Sequence, residues 1–115
     1  MNEKKYCLAL DLINDAQLMS GYREYHQAVW PEIIDSIQSV EIDQLEIYNV
    51  GNRLFMIMTV NDSFLFENKD LMDKSKTKVR EWEELTWNFQ KALLWAESGE
   101  KWMLLEKIFQ LPNSN

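Results

Sequence analysis

Residues 43–60 read DQLEIYNVGNRLFMIMTV, and this stretch settles the fold. The segments 43–50 and 53–60 are β-prone and only Gly51 and Asn52 separate them, a strong hairpin signal. The second segment is apolar at nearly every position, so both of its faces are expected to be buried. Helices can cover one face. In a chain of 115 residues the other face is expected to meet a second copy, which predicts a homodimer.

Upstream of the hairpin, residues 5–13, KYCLALDLI, form a nearly continuous apolar run that suits a strand, with Asp11 as the polar exception near its end. Asn14 and Gln17 have the spacing of a capping box, and Asp15 is an alternative cap, so a helix is expected from there to about Gln27. Gly21 inside it costs about 1 kcal/mol relative to Ala, and its small size suits close packing. Pro31 breaks the ladder and starts a second helix, whose Ile33, Ile34, Ile37 and Val40 form one stripe. Trp30 and Pro31 then read as a packed joint between the two helices.

Downstream, Asp62 and Ser63 can cap a helix through FLFENKDLMDKS. Thr77 can cap another through KVREWEELTWNFQKAL, where Val79, Trp82, Leu85 or Thr86, and Phe89 keep helical spacing. After Gly99, KWMLLEKIFQL reads as a last strand that Pro112 stops. The order is strand, broken helix, strand, strand, helices, strand. This is the βαββαβ pattern of a ferredoxin-like α+β fold, an antiparallel sheet with helices on one face, in one domain over 1–115.

Composition narrows the function. The chain is 46% apolar with five tryptophans, which excludes intrinsic disorder. Its net charge of −7 opposes nucleic acid or an anionic membrane surface as partner, since both require a basic face. A neutral or cationic ligand, or a protein, fits better. The one cysteine, Cys7, cannot form an internal disulfide, and no Cys/His cluster has metal-binding spacing, so a reducing cytoplasm is the expected compartment.

The chemistry-bearing residues gather at YREYHQAVWPE, residues 22–32. Tyr22, His26 and Trp30 are four residues apart, which on a helix stacks a phenol, an imidazole and an indole on one face. Imidazole, with an unperturbed pKa of about 6.5, can give and take a proton near neutrality. The competing reading is a packed or exposed histidine with no chemical role, which His26 alone does not exclude. Ferredoxin-like dimers host unrelated chemistries, including oxygenases and haem-handling proteins, and a non-catalytic binding or interaction module is a further alternative.

Together these features resemble the L-rhamnose mutarotase family of small dimeric α+β barrels, over essentially the whole chain. The most specific part is Tyr22, His26 and Trp30-Pro31-Glu32; Ile47-Tyr48, the hairpin at Asn52-Arg53-Leu54-Phe55, Trp82 and the terminal Ile108-Phe109-Gln110-Leu111-Pro112 support it. The resemblance implies a mutarotase, an isomerase that interconverts the α and β anomers of a 6-deoxy sugar without metal or organic cofactor. It puts the catalytic role on His26, as general acid, and on Tyr22, as the sugar-binding tyrosine. Trp82, Glu83, Tyr48 and Trp30 become candidate substrate-binding residues. The family's aromatic pair in the late helix matches in part, with Glu83 after Trp82, and a second sugar-contacting tyrosine corresponds to Leu45. LEIYNVGNRLFMIM, EWEELTW and GEKWMLLEKIF resemble the branch associated with L-fucose, so L-fucose and L-rhamnose stand as equal candidates. Glu83, Asp11, His26 itself or water are the options for the conjugate base. Trp87, Trp95 and Trp102 are expected to pack, and Glu106 to face solvent.

Overall fold

In the computed structural model, which describes residues 3–112, strand β1 (Lys4–Leu12) runs through the middle of an antiparallel sheet. Asp15 caps helix α1 (Ala16–Tyr25): its carboxylate accepts from the backbone N–H of Gln17 and Leu18 at 3.0 Å each. Helix α2 (Pro31–Ser39) starts on the proline, whose fixed φ and missing N–H suit the first turn. Strands β2 (Ile42–Val50) and β3 (Arg53–Val60) form the expected hairpin, with Gly51 at φ 55°, a left-handed position suited to a two-residue turn. Helices α3 (Phe66–Ser75) and α4 (Thr77–Trp87) follow, then two short strands, β4 (Gln90–Lys91) and β5 (Met103–Leu104).

The sheet order is β2-β3-β1-β4, the ferredoxin-like order, with β5 also on β1. β3 pairs with β1 from Lys4↔Val60 to Asp11↔Arg53. The opposite edge of β1 is divided: β5 occupies Leu8 and Ala9, and β4 occupies Asp11 and Leu12. Because side chains alternate across a strand, Tyr6, Leu8, Leu10 and Leu12 share one face with Leu54, Met56, Met58 and Val60. That face meets the helices: Leu8, Ile42, Met58 and Val60 pack with Val40 and Phe64, and Leu12 and Leu54 pack with Tyr22. The other face carries Cys7, Ala9, Phe55, Ile57, Tyr48 and Val50, and among the described residues no helix is packed on it.

Five expectations are corrected. Thr77 does not cap α4 but opens it as the first helical residue, with Lys76 at the N-cap and no side-chain cap bond. α4 ends at Trp87 instead of running to Leu93, because Gln90 and Lys91 leave the helix to pair with Leu12 and Asp11, a tertiary contact that overrides local propensity. Residues 101–111 make a strand only at Met103–Leu104. Leu105 adds one bond, donating to the Cys7 carbonyl at 2.8 Å, and beyond it Ile108, Phe109 and Leu111 are exposed. Neither Asp62 nor Ser63 caps α3, which begins later at Phe66; Asn61 instead accepts from the Ser63 N–H at 2.8 Å in a local turn. Along α2 the inward face is Ile33, Ser36 and the half-buried Ile37, with Val40 at the C-cap, while Ile34 is exposed because the next position after Ile33 lies about 100° further round the helix.

Gly21 has a packing reason. A Cβ built on it would lie 3.1 Å from Cε1 of Phe89, whose ring contacts Tyr22. Replacing Gly21 with Val therefore pushes on the ring that backs Tyr22, and we expect it to lower unfolding stability by about 1–3 kcal/mol, measured by urea denaturation. A neutral or stabilising effect would mean that Phe89 can withdraw freely.

Candidate active site

The helices do not close completely on the sheet. Between them lies a cavity of about 190 Å³, floored by Leu45, Ile47 and Met56 of the hairpin. α1 contributes Tyr22 and, at its C-cap, His26; α2 contributes Ile33, Ser36 and Ile37; α4 contributes Val79, Trp82, Glu83 and Thr86. Gln90, Lys101 and Trp102 complete one side, and Lys69 and Asp73 of α3 another.

His26 reaches the cavity because α1 stops one residue before it. Its Nδ1 lies 2.9 Å from the Tyr22 carbonyl oxygen. A carbonyl can only accept, so Nδ1 carries the hydrogen and donates it. The second nitrogen, Nε2, is left as a lone pair in the neutral ring and as a proton donor in the charged ring. The imidazole also stacks against the Tyr22 ring, with centroids 4.3 Å apart, and meets the edge of Trp82 at 5.5 Å. Three contacts thus fix its plane.

Tyr22 is buried, and its hydroxyl oxygen accepts from Nε2 of Gln90 at 3.2 Å. Burial pushes the phenol up to about 12, while the Gln90 amide works in the opposite direction. It is a neutral phenol throughout the physiological range. Glu83 is half-buried, and removal from water raises its carboxyl, as does the negative charge of Asp73; Lys101 and Lys69 pull the other way. Lys69 and Asp73 are themselves paired at 2.7 Å. The cavity therefore combines an apolar floor with a charged rim.

Trp82 serves the core and the cavity together. It is buried with Ile33 and Val79 in a packed cluster, and its ring meets His26, Tyr25 and Trp30. Trp30 stands behind it, with ring centroids 5.1 Å apart, and is not among the residues that line the cavity. Tyr48 is also away from it. In the β2–β3 register Tyr48 opposes Phe55 and so lies on the far face of the sheet, where it is exposed. Asp11 shares that far face, is bound to Arg53 at 2.8 Å and does not line the cavity. Of the tryptophans expected to pack, Trp102 does so and also lines the cavity, whereas Trp95 is exposed and Trp87 lies partly exposed under the Lys101 ammonium at 5.1 Å.

Sequence reading missed Ser36, Lys69, Asp73 and Gln90. Ser36 had a signal, since it holds a stripe position beside Ile33 and Ile37; Gln90 had none, because it was assigned to a helix that ends before it. Among the described residues no group of three or more His, Cys, Asp and Glu side chains is arranged to hold a metal ion.

Comparison with known proteins agrees with this architecture. The L-fucose mutarotase of Xanthomonas campestris pv. campestris is 40% identical over 113 residues, spanning 96% of this chain and 90% of that protein. The crystal structure of L-rhamnose mutarotase from Formosa agariphila superposes with a TM-score of 0.69 at 17% identity, covering 94% of this chain and 98% of that one. Tetracenomycin F2 cyclase from Streptomyces glaucescens, a type-II polyketide cyclase, has a TM-score of 0.58 at 11% identity over 95% and 99% of the two chains. These last two likenesses establish the α+β fold alone. The family model described as L-rhamnose mutarotase matches residues 5–111, and the chain belongs to that family.

Proposed function

We propose that this protein is a mutarotase that interconverts the α and β anomers of a 6-deoxy sugar, L-fucose before L-rhamnose, with His26 as the proton-transfer group. The observation that carries the reading is the fixed imidazole: Nδ1 is bound to the Tyr22 carbonyl at 2.9 Å, so the ring's exchangeable site is Nε2. Family membership supports the reaction, and 40% identity to an L-fucose mutarotase supports the order of the sugars. The volume of about 190 Å³ suits a monosaccharide and is small against the roughly 300–1,000 Å³ of sites for larger ligands, which speaks against haem or a quinone.

Mutarotation needs one proton removed and one delivered. Loss of the proton from the anomeric hydroxyl and protonation of the ring oxygen break the C1–O5 bond and give the open aldehyde. Rotation about C1–C2 presents the other carbonyl face, and reversing the proton transfers closes the ring as the other anomer. In this scheme protonated His26 supplies the ring oxygen from Nε2 and takes the proton back on closure. The Glu83 carboxylate, made more basic by burial, takes the anomeric proton and returns it. Tyr22 orients a sugar oxygen, and Trp82 offers an apolar surface to the sugar's C–H face. No proton is gained or lost overall.

The protein acts as a homodimer in this reading, in the cytoplasm, where its free Cys7 would remain reduced. Support for the dimer comes from the uncovered sheet face with Phe55, Ile57 and Tyr48, and from the exposed Ile108, Phe109 and Leu111.

Saturation-difference NMR of the anomeric protons tests the activity. Wild type should accelerate exchange for L-fucose, and His26→Ala should lose about a hundredfold or more of that acceleration. Binding without acceleration would make the protein a sugar-binding module; no acceleration with either sugar would end the mutarotase reading. Glu83 gives a pH prediction. Its folded carboxyl lies above the unfolded value of about 4.3, so between the two the folded state holds more protons and stability falls as pH rises. Glu83→Gln should therefore raise Tm over wild type more at pH 8 than at pH 4, and an equal gain at both would refute the raised carboxyl. For the dimer, sedimentation equilibrium should give twice the chain mass, and Ile57→Asp should give the chain mass.

A further inference from the structure

We propose that Gln90 is a positioning residue: its side-chain amide donates to the Tyr22 hydroxyl oxygen and thereby turns the phenolic hydrogen into the cavity, toward a sugar oxygen. The inference rests on the cavity being the sugar site, and its geometry stands apart from that reading. Gln90 and Tyr22 are both buried, and Nε2 lies 3.2 Å from the hydroxyl oxygen. A phenol has one hydrogen and two lone pairs. Once a lone pair faces the amide N–H, the hydrogen must point elsewhere.

The surroundings leave it one direction. Tyr22 packs in a cluster with Leu12, Leu54, Met19 and Phe89, of which only Met19 carries an acceptor, a weak thioether sulfur. The His26 ring lies against it at 4.3 Å between centroids, tilted by 35°, with its Nδ1 hydrogen bonded to a carbonyl. Among the described residues the hydroxyl has no hydrogen-bond partner other than Gln90. The cavity, which both residues line, is where an acceptor can arrive. Without the amide, the hydroxyl would rotate freely and present either a hydrogen or a lone pair to the sugar.

The backbone explains why Gln90 can do this. β4 pairs Gln90 with Leu12, whose side chain faces the helices, so Gln90 projects to the same side of the sheet. The adjoining Phe89 carbonyl accepts from the Ile13 N–H at 2.9 Å. The two bonded positions hold the side chain where a helix running through residue 90 would have swung it away. Donation by the amide also favours the ionised phenol, in opposition to burial, and so makes Tyr22 a stronger donor than burial alone would leave it.

The orientation of the amide can be read in the sugar-free protein. 3-Fluorotyrosine placed at position 22 lowers the phenol's titration into an accessible range, and its 19F shift follows the ionisation. If the amide N–H donates to the phenol, Gln90→Met removes a contact that favours the ionised form, and the titration moves to higher pH. A move to lower pH would show that the amide oxygen accepts the phenolic hydrogen, and no move would show no contact; either overturns the proposal. Should Gln90→Met not fold, Gln90→Asn, too short to reach, reads the same shift. In anomer exchange Gln90→Met should lower kcat/KM about five- to tenfold, the loss of roughly one neutral hydrogen bond, and should have no further effect in a Tyr22→Phe background. Gln90→Glu, whose carboxylate captures the phenolic hydrogen, should fall below Gln90→Met. An upward titration shift in a protein that accelerates no sugar would leave the orientation standing and remove only the mutarotase reading.

Discussion

The divided edge of β1 is the constraint on which the rest of the molecule depends. One edge of this strand is given to β3 along its whole length, but the other is shared between β5 at Leu8 and Ala9 and β4 at Asp11 and Leu12. A single long fourth strand would fill that edge and leave the chain between α4 and the terminus nothing to do. Two short pieces require the chain to leave the sheet after Lys91 and return at Met103, and the excursion brings Lys101 and Trp102 to the cavity. The same division ends α4 early and turns Gln90 toward Tyr22. Strand pairing at four residues of β1 thus sets one side of the site.

The opposite side is set by aromatic packing. Trp82 is held by Ile33 and Val79 below and by Trp30 and Tyr25 at its edges, so its ring has little freedom where it meets His26. His26 is in turn fixed by a carbonyl one turn back and by the Tyr22 ring. The hydrophobic core and the His26 imidazole are consequently one packing problem: the residues that exclude water from the core also fix the plane of the ring. Gly21 belongs to this arrangement, since the Phe89 ring that backs Tyr22 approaches it within the space a Cβ would take.

Local pattern made much of this legible. The hairpin at Gly51-Asn52, the break at Pro31, the cap at Asp15 and the one-sided cover of the sheet follow from propensity and periodicity, and each is found in place. So is the meeting of Tyr22 and His26, because four-residue spacing fixes a helical face. What failed to read out depended on residues far apart in sequence. Trp30 shares the spacing, yet the helix has ended before it, and it packs behind Trp82. Tyr48 carries a motif but its strand parity places it on the far face, a fact set by the register with β3. Gln90 pairs with a strand almost eighty residues earlier, and no local window contains that contact.

Burial also sets the protonation of the site. Tyr22 is kept neutral by desolvation, and Glu83 is shifted the same way, so an overall charge of −7 does not translate into a strongly anionic cavity. A sugar is neutral and brings no charge to compensate a buried ion, which favours a pocket whose groups exchange protons without accumulating charge. The Lys69–Asp73 pair and Lys101 at the rim supply the balance: they lie close enough to act on Glu83, the lysines opposing and Asp73 reinforcing its upward shift. Lowering the local dielectric strengthens every one of these interactions together. The apolar floor of Leu45, Ile47 and Met56 belongs to the same electrostatics, because it lowers the dielectric in which Glu83 and its charged neighbours act on one another.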